Sequence, residues 1–213
     1  MKLKIDNTYI CHYSKLRERK QYLRKHFSNI GLEKYEFVEL FDKETWNLNE
    51  IQPQYPKIFG PTPRGTFLKK SEISLTLKYC WIINDAYKKK YKSILLFEDD
   101  VKLSDNFIEL FNDFTSQLPL DWDIAWVGSC LDLHAKTEPN KNVYQMNGSR
   151  CTHAFMISDS CIHKIINHIK YADDCADFYF NQLIEKFNLK NYWFEPSLAY
   201  QNTIFTTSIH NET

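Results

Sequence analysis

The chain reads as a single α/β domain, a mixed and mostly parallel sheet with helices on both faces. Three observations predict it. Short apolar runs with strand character alternate with amphipathic helical stretches along the whole sequence. The 213 residues suit one domain with a sizeable core, and 43% hydrophobic with 15% aromatic content argues against disorder. One apolar run, Lys92 to Phe97, ends abruptly in three consecutive carboxylates, Glu98, Asp99 and Asp100, before turning apolar again at Val101. Acidic groups delivered to the carboxyl edge of a sheet mark the place where open α/β proteins hold ligands and metals.

Taken in order, Thr8 to Cys11 predicts the first strand and His12 to Ser14 a polar loop after it. A helix follows from about Lys15 to Ile30, with Leu16, Leu23, Phe27 and Ile30 near one face and Gly31 as its stop. Tyr35 to Phe41 predicts a second strand. The stretch from Asp42 to Gly65 holds six prolines and glycines, among them Pro53, Pro56, Gly60, Pro61 and Pro63, and reads as an excursion or flap. Ser71 or a neighbour caps a helix running to about Lys90, and the acidic-ended strand comes next. Ser104 is expected to cap a helix carrying Phe107, Phe111, Phe114 and Leu118, which Pro119 ends. Asp123 to Val127 predicts a strand, 128–142 a loop, and His153 to Ile157 a further strand. Ser158 then caps a helix to about Ile169. A helix from about Ala176 to Phe187 and a strand at Tyr192 to Phe194 complete the pattern.

Composition narrows the function. Basic and acidic residues balance at 27 each, with no basic stripe, which argues against a nucleic-acid partner. The six cysteines, Cys11, Cys80, Cys130, Cys151, Cys161 and Cys175, form no Cys-x-x-Cys pair, so a zinc ribbon or thioredoxin-like site lacks support and most are expected to be reduced core residues. No segment approaches a membrane-spanning length, and the first ten residues lack an apolar leader, so a cytoplasmic setting is expected.

Three adjacent negative charges repel one another unless a cation or a proton compensates. The acidic block therefore reads as a divalent-metal site holding a phosphorylated donor; a solvated turn after a strand is the plainer alternative. A hard cation such as manganese or magnesium suits oxygen ligands on a strand end. Side-chain alternation sends Glu98 and Asp100 one way and Asp99 the other. Asp100 is thus the expected direct metal ligand, Glu98 a ligand or donor-positioning group, and Asp99 a contact to the donor.

Several segments together resemble glycosyltransferase family 25, the lipooligosaccharide and collagen-type sugar transferases. They are Thr8-Tyr-Ile-Cys-His12, Leu16-Arg-Glu-Arg19, Tyr35 to Asp42, Leu95-Leu-Phe-Glu-Asp-Asp-Val101, Trp122 to Gly128, Cys151 to Ser158, Ala176-Asp177 and Tyr192 to Thr203. The likeness runs through nearly the whole chain in order. It departs at one place. Where the family commonly has Gly-Glu-x-Gly-Cys-x-x-Ser-His, this chain reads Ser71 to Tyr79, keeping Glu72 but putting Lys78 and Tyr79 in place of the Ser-His pair.

The resemblance implies a GT-A-like α/β domain over residues 1–213, with a nucleotide-sugar-binding half (1–127) and an acceptor-binding half (128–213). It implies a hexosyltransferase that takes a nucleotide sugar, most plausibly a UDP-sugar, uses Mn2+ or Mg2+, and transfers to a glycan, lipid-linked sugar or protein hydroxyl. A catalytically degenerate module that binds sugar or a protein partner is the alternative, and the altered Ser71 to Tyr79 stretch is its best argument. A phosphoryl-transfer fold of the dehalogenase or receiver type fits less well, because those place the decisive aspartates after the first strand. His12 and Tyr13 are expected where the nucleotide base is received. Arg17, Arg64, Lys69, Lys70 and Arg150 are available for diphosphate charge, with Arg17 and Arg150 assigned to the donor and Arg150 best placed. His153 is a donor contact or a core residue. His210 is a second metal ligand or a tail histidine. If the reaction inverts the anomeric centre, Asp177, opening a helix, removes the acceptor proton; its alternative is an ordinary helix-terminal acid. Trp193, Phe194 and Tyr200 are an acceptor platform or core.

Overall fold

The structure is a computed structural model that describes residues 2–129 and 133–205. Its spine is a seven-stranded sheet in the order β2-β1-β3-β7-β5-β8-β6. The strands are β1 (Asn7–Cys11), β2 (Glu36–Val38), β3 (Ser93–Glu98), β5 (Ile124–Trp126), β6 (Val143–Gln145), β7 (Ala154–Ser158) and β8 (Asn191–Phe194). Only β7 and β6 run against the others, so the sheet is mixed and mainly parallel, as expected. A second, two-stranded sheet pairs β4 (Val101–Leu103) with β9 (Ala199–Gln201).

Alternation along the central strands sorts their side chains onto two faces. Tyr9, Cys11, Ile94, Leu96, Trp126, Phe155 and Ile157 pack on one side, with helices α3 (Lys70–Lys89), α5 (Asp159–Ile165) and α6 (Ala176–Lys186). Ile10, Leu95, Phe97, Ala125, Ala154 and Met156 pack on the other, with α1 (Arg17–Ile30) and α4 (Phe107–Ser116). Every residue of β1 and β7 is buried, the pattern of strands covered on both faces. α1 ends as the sequence predicts: Gly31 takes the left-handed conformation, φ 77°, that lets its N–H bond the last turn. Among the described residues no helix is long and apolar enough to cross a membrane.

Several expectations shift by a turn. Ser158 does cap α5, its Oγ accepting from the Cys161 N–H at 3.2 Å. That helix stops at Ile165, and a single 3-10 turn at Ile169–Tyr171 follows. Ser104 does not cap through its side chain; its carbonyl accepts from the Phe107 N–H at 3.0 Å, and α4 starts there. The flap contains a short helix, α2 (Leu48–Ile51), capped by the Asn47 side chain. Cys11, Cys80 and Cys161 are free and buried and Cys175 is free, but Cys151 is disulfide-bonded.

Register positions the functional end of the sheet. β1 runs parallel to β3 with Cys11 opposite Glu98, and parallel to β2 with Cys11 opposite Val38. The residue that follows β1, His12, is therefore delivered beside Asp99. The three strands finish level, and the acidic block emerges at their common carboxyl edge.

Candidate active site

Asp99 is the most heavily engaged of the three acids. Its Oδ2 accepts from the Tyr13 N–H at 3.1 Å and lies 2.8 Å from His12 Nδ1, and its Oδ1 accepts from Arg19 Nη1 at 2.6 Å. Burial alone would push this carboxyl up; the His12 bond, the Arg19 charge and the Tyr13 amide outweigh it and hold Asp99 below its usual range. Both oxygens are occupied by protein. Asp99 thus ties the β1 loop and the first turn of α1 to the end of β3.

Glu98 points to the opposite side, as strand alternation requires. Its Oε1 accepts from Thr152 Oγ1 at 2.7 Å and from the Tyr79 hydroxyl at 3.2 Å. The same Thr152 Oγ1 lies 3.0 Å from Asp177 Oδ1, which also accepts from the Thr152 N–H at 2.8 Å. Thr152 therefore links the two carboxylates, bringing the end of β3 and the first turn of α6 into one cluster. Burial, then the charges of Asp100 and Asp177, push Glu98 up to about 8. Burial also raises Asp177, against the pull of its Thr152 bonds.

The Asp100 side chain is less engaged than either neighbour. Its Oδ2 is 3.9 Å from Arg19 Nη1, and its buried Oδ1 has no hydrogen-bond partner among the described residues. Burial and the neighbouring Asp99 charge raise this carboxyl to about 6, Arg19 acting in the other direction.

The three acids border a cleft of about 270 Å³ at the carboxyl edge. His12, Tyr13 and Arg19 form one side of it, and Ser71, Ser74, Leu75 and Lys78 of α3 form another. Lys78 is buried and donates to Asp42 Oδ1 at 2.6 Å and to the Leu40 carbonyl at 2.7 Å, which fastens the loop after β2 to the wall. The Tyr13 ring has the Lys43 and Lys15 ammonium groups 5.6 and 5.9 Å from its centroid, and its hydroxyl donates to Glu44.

Of the residues expected from sequence, His12, Tyr13, Glu98, Asp99 and Asp100 meet at this cleft, and Asp177 joins them through Thr152. Three do not. Arg17 is exposed on α1 outside the cleft lining, whereas Arg19, buried on the stripe it shares with Leu23 and Phe27, is the arginine that reaches the acids. Arg150 is fully buried away from the cleft lining: it donates to Glu195 Oε1 at 2.6 Å and to the carbonyls of Leu133 and Phe194, so its charge is spent on the core. His153 is also buried, its Nε2 3.5 Å from the Ala199 carbonyl, and burial lowers it to about 4, which keeps it neutral. His210 lies outside the described residues. Trp193 and Phe194 are buried, while Tyr200 is exposed.

Arg19 was discoverable in the sequence: it stands four residues before Leu23 and eight before Phe27, a cation on an apolar stripe. Lys78 and Tyr79, which replace the Ser-His pair, are wired into the site, Lys78 through Asp42 and Tyr79 through Glu98 and the Thr152 carbonyl at 2.8 Å.

A mainly parallel sheet with an acid-lined cleft across its carboxyl edge places a ligand site where open α/β proteins hold theirs. The sequence pattern described as glycosyltransferase family 25 (LPS biosynthesis protein) matches residues 5–184, and the chain belongs to that family. It is a glycosyltransferase. No curated protein matches it by sequence. Among solved structures, A197 from STIV is similar at TM-score 0.51 and 11% identity, covering 97% of this chain and 87% of that one, which supports the fold. A glycosyltransferase involved in glycosylation of the major capsid of PBCV-1 matches at TM-score 0.49 and 12% identity, over 96% of each chain. Mouse xyloside xylosyltransferase 1 matches at TM-score 0.35 and 14% identity, over 86% of this chain and 62% of that one.

Proposed function

We propose that this glycosyltransferase moves a sugar from a nucleotide sugar, a UDP-sugar in the first instance, to a hydroxyl of a glycan, a lipid-linked sugar or a protein, with a manganese or magnesium ion held by Asp100 and Glu98. The observation that carries this reading is that Glu98 and Asp100 line one cleft while Asp177 joins Glu98 through Thr152 Oγ1, each of the three with an oxygen that no described protein group engages. Among the described residues the side-chain contacts of Glu98 fall on Oε1 and those of the Asp177 carboxylate on Oδ1, and Asp100 Oδ1 is buried without a partner.

The donor set fits a hard divalent cation. Crowded acids and an orphaned, buried carboxylate oxygen favour a positive charge, and both groups supply the oxygen ligands such a cation prefers. Among the described residues no three His, Cys, Asp or Glu could hold a metal ion between them. Magnesium-type sites use one or two carboxylates and complete their coordination with substrate phosphates and water. A cation bound there would neutralise the charge that develops on the departing diphosphate.

The protein's own groups divide the remaining tasks. Tyr13 offers a half-exposed ring for the base, flanked by two ammonium groups. Asp99, His12 and Arg19 fix the floor rather than touch the sugar, since Asp99 has no oxygen to spare. Asp177 takes the proton from the acceptor hydroxyl at Oδ2; its raised basicity suits that role. The division into a donor half (1–127) and an acceptor half (128–213) follows, with Glu98 and Thr152 at the junction.

The test is manganese-dependent release of UDP from a panel of UDP-sugars, with Asp177→Asn and Asp100→Ala beside the wild type. Loss of about 10²- to 10⁴-fold in each variant is expected. A wild-type protein that binds nucleotide sugars and never releases nucleotide would be a binding module, and the reading would fail.

A further inference from the structure

Thr152 falls outside every group with ordinary acid–base chemistry, yet it sits at the centre of the acidic cluster. Its hydroxyl lies within hydrogen-bond distance of two carboxylates, 2.7 Å from Glu98 Oε1 and 3.0 Å from Asp177 Oδ1. It has one proton to give, and its N–H makes a separate bond to Asp177 Oδ1 at 2.8 Å. Its carbonyl accepts from Tyr79, which also reaches Glu98. One buried residue thus touches β3, α3 and α6 at once.

The chain just before Thr152 is held with unusual thoroughness. Cys151 takes a left-handed backbone conformation, φ 64°, which is uncommon for a residue with a Cβ. Cys151 is also disulfide-bonded. Ser149 donates from its N–H to Asn181 Oδ1 at 2.6 Å and from its hydroxyl to the Asp177 carbonyl at 3.3 Å. On the other side, the His153 carbonyl accepts from the Glu98 N–H at 3.0 Å. These bonds fasten residues 149–153 to α6 and to β3, the two elements that carry Asp177 and Glu98. The unfavourable backbone at Cys151 persists because its surroundings over-determine it.

We propose that Thr152 is the positioning residue of the transfer reaction, orienting Asp177 and Glu98 together, and that the Cys151 disulfide holds Thr152 in place. This rests on the roles given above to Asp177 and Glu98. It makes the oxidised protein the competent form. A dithiol reductant that opens the bond is itself oxidised to a disulfide, while Cys151 and its partner sulfur each gain one electron and one proton. Residue 151 then keeps only the hold that the bonds of residues 149–153 to α6 and β3 give it, and the common guide of the two carboxylates loosens.

Steady-state kinetics of nucleotide release with a UDP-sugar and manganese test this. Thr152→Val keeps the shape and the N–H but removes the hydroxyl; kcat should fall about 10²-fold with the donor KM little changed. Thr152→Ser restores the hydroxyl and should recover most of kcat. Cys151→Ser, and wild type treated with dithiothreitol, should lose kcat in the same way, with circular dichroism confirming the fold. Equal kcat in wild type and Thr152→Val would overturn the positioning role while leaving the transferase reading intact. Equal kcat before and after reduction would overturn the role of the disulfide. Absence of turnover by the wild type would overturn the transferase reading itself, and the inference with it.

Discussion

Arg19 and Asp99 form a buried ion pair, Nη1 to Oδ1 at 2.6 Å, with side chains 4% and 10% exposed. The pair joins the first turn of α1 to the strand end that carries the site. Removing one partner strands the other in a desolvated setting, so Arg19→Ala is expected to cost about 3–5 kcal/mol. Arg17→Ala, two residues earlier and exposed, should stay within about 0.5 kcal/mol of wild type. Urea unfolding of the two variants makes the comparison, and equal effects would contradict the assignment.

The acidic cluster gives the metal-free protein a characteristic pH dependence. Glu98 titrates at about 8 in the folded state against an ordinary 4.5, so between those values the folded form binds more protons than the unfolded one. Stability must then fall as pH rises through that window. Asp100, at about 6 against 3.8, acts in the same direction at lower pH. His153, at about 4 against 6.5, acts oppositely, its contribution being lost as pH falls from 6.5 to 4. Of these three groups, the two carboxylates act above pH 6.5. The melting temperature without metal should decline from pH 6.5 to 8, and manganese should flatten the decline. A flat metal-free profile over that range would contradict it.

Arg150 and Glu195 are both buried, and their 2.6 Å contact lies outside the cleft lining. Arg150→Ala should destabilise by about 3–5 kcal/mol. At a temperature where the variant is folded, its affinity for UDP with manganese should match the wild type by calorimetry. A selective loss of nucleotide affinity would return Arg150 to the donor site.

Gly128 stands where β5 approaches β7, and a Cβ added there would overlap the His153 ring. The ring is enclosed and has little room to yield. Gly128→Ala should cost about 1–3 kcal/mol, read as a lower denaturation midpoint at unchanged slope.

The strand that ends in Glu98, Asp99 and Asp100 was legible because an apolar run and a charge cluster meet within a few residues. The sorting of Glu98 from Asp99 followed from alternation alone. β4, β6 and β9 were not legible: each spans three residues and none sits in an apolar run like Ile124 to Val127, which marks the equally short β5. Arg19 is hidden from a periodicity of apolar residues because a cation occupies its place on the stripe of Leu23 and Phe27. Arg150 was assigned to the donor because its partner, Glu195, lies 45 residues away and nothing local announces it. Thr152 carries no signal at all in one dimension, since its importance comes from two acids delivered by separate elements. The resemblance to family 25 supplied what periodicity could not, namely Asp177 as a candidate base.

The central claim is that Asp100 and Glu98 hold a cation that in turn holds the donor's diphosphate. Thermal unfolding with UDP and manganese, together and separately, on wild type and Asp100→Ala, tests it most directly. At a ligand concentration about a hundred times Kd, the wild type should gain about 2.7 kcal/mol, an upward shift of several degrees, only when both are present. Asp100→Ala should show no joint shift while remaining folded. An equal shift in the variant, or a wild-type shift with UDP that ignores manganese, would contradict the account.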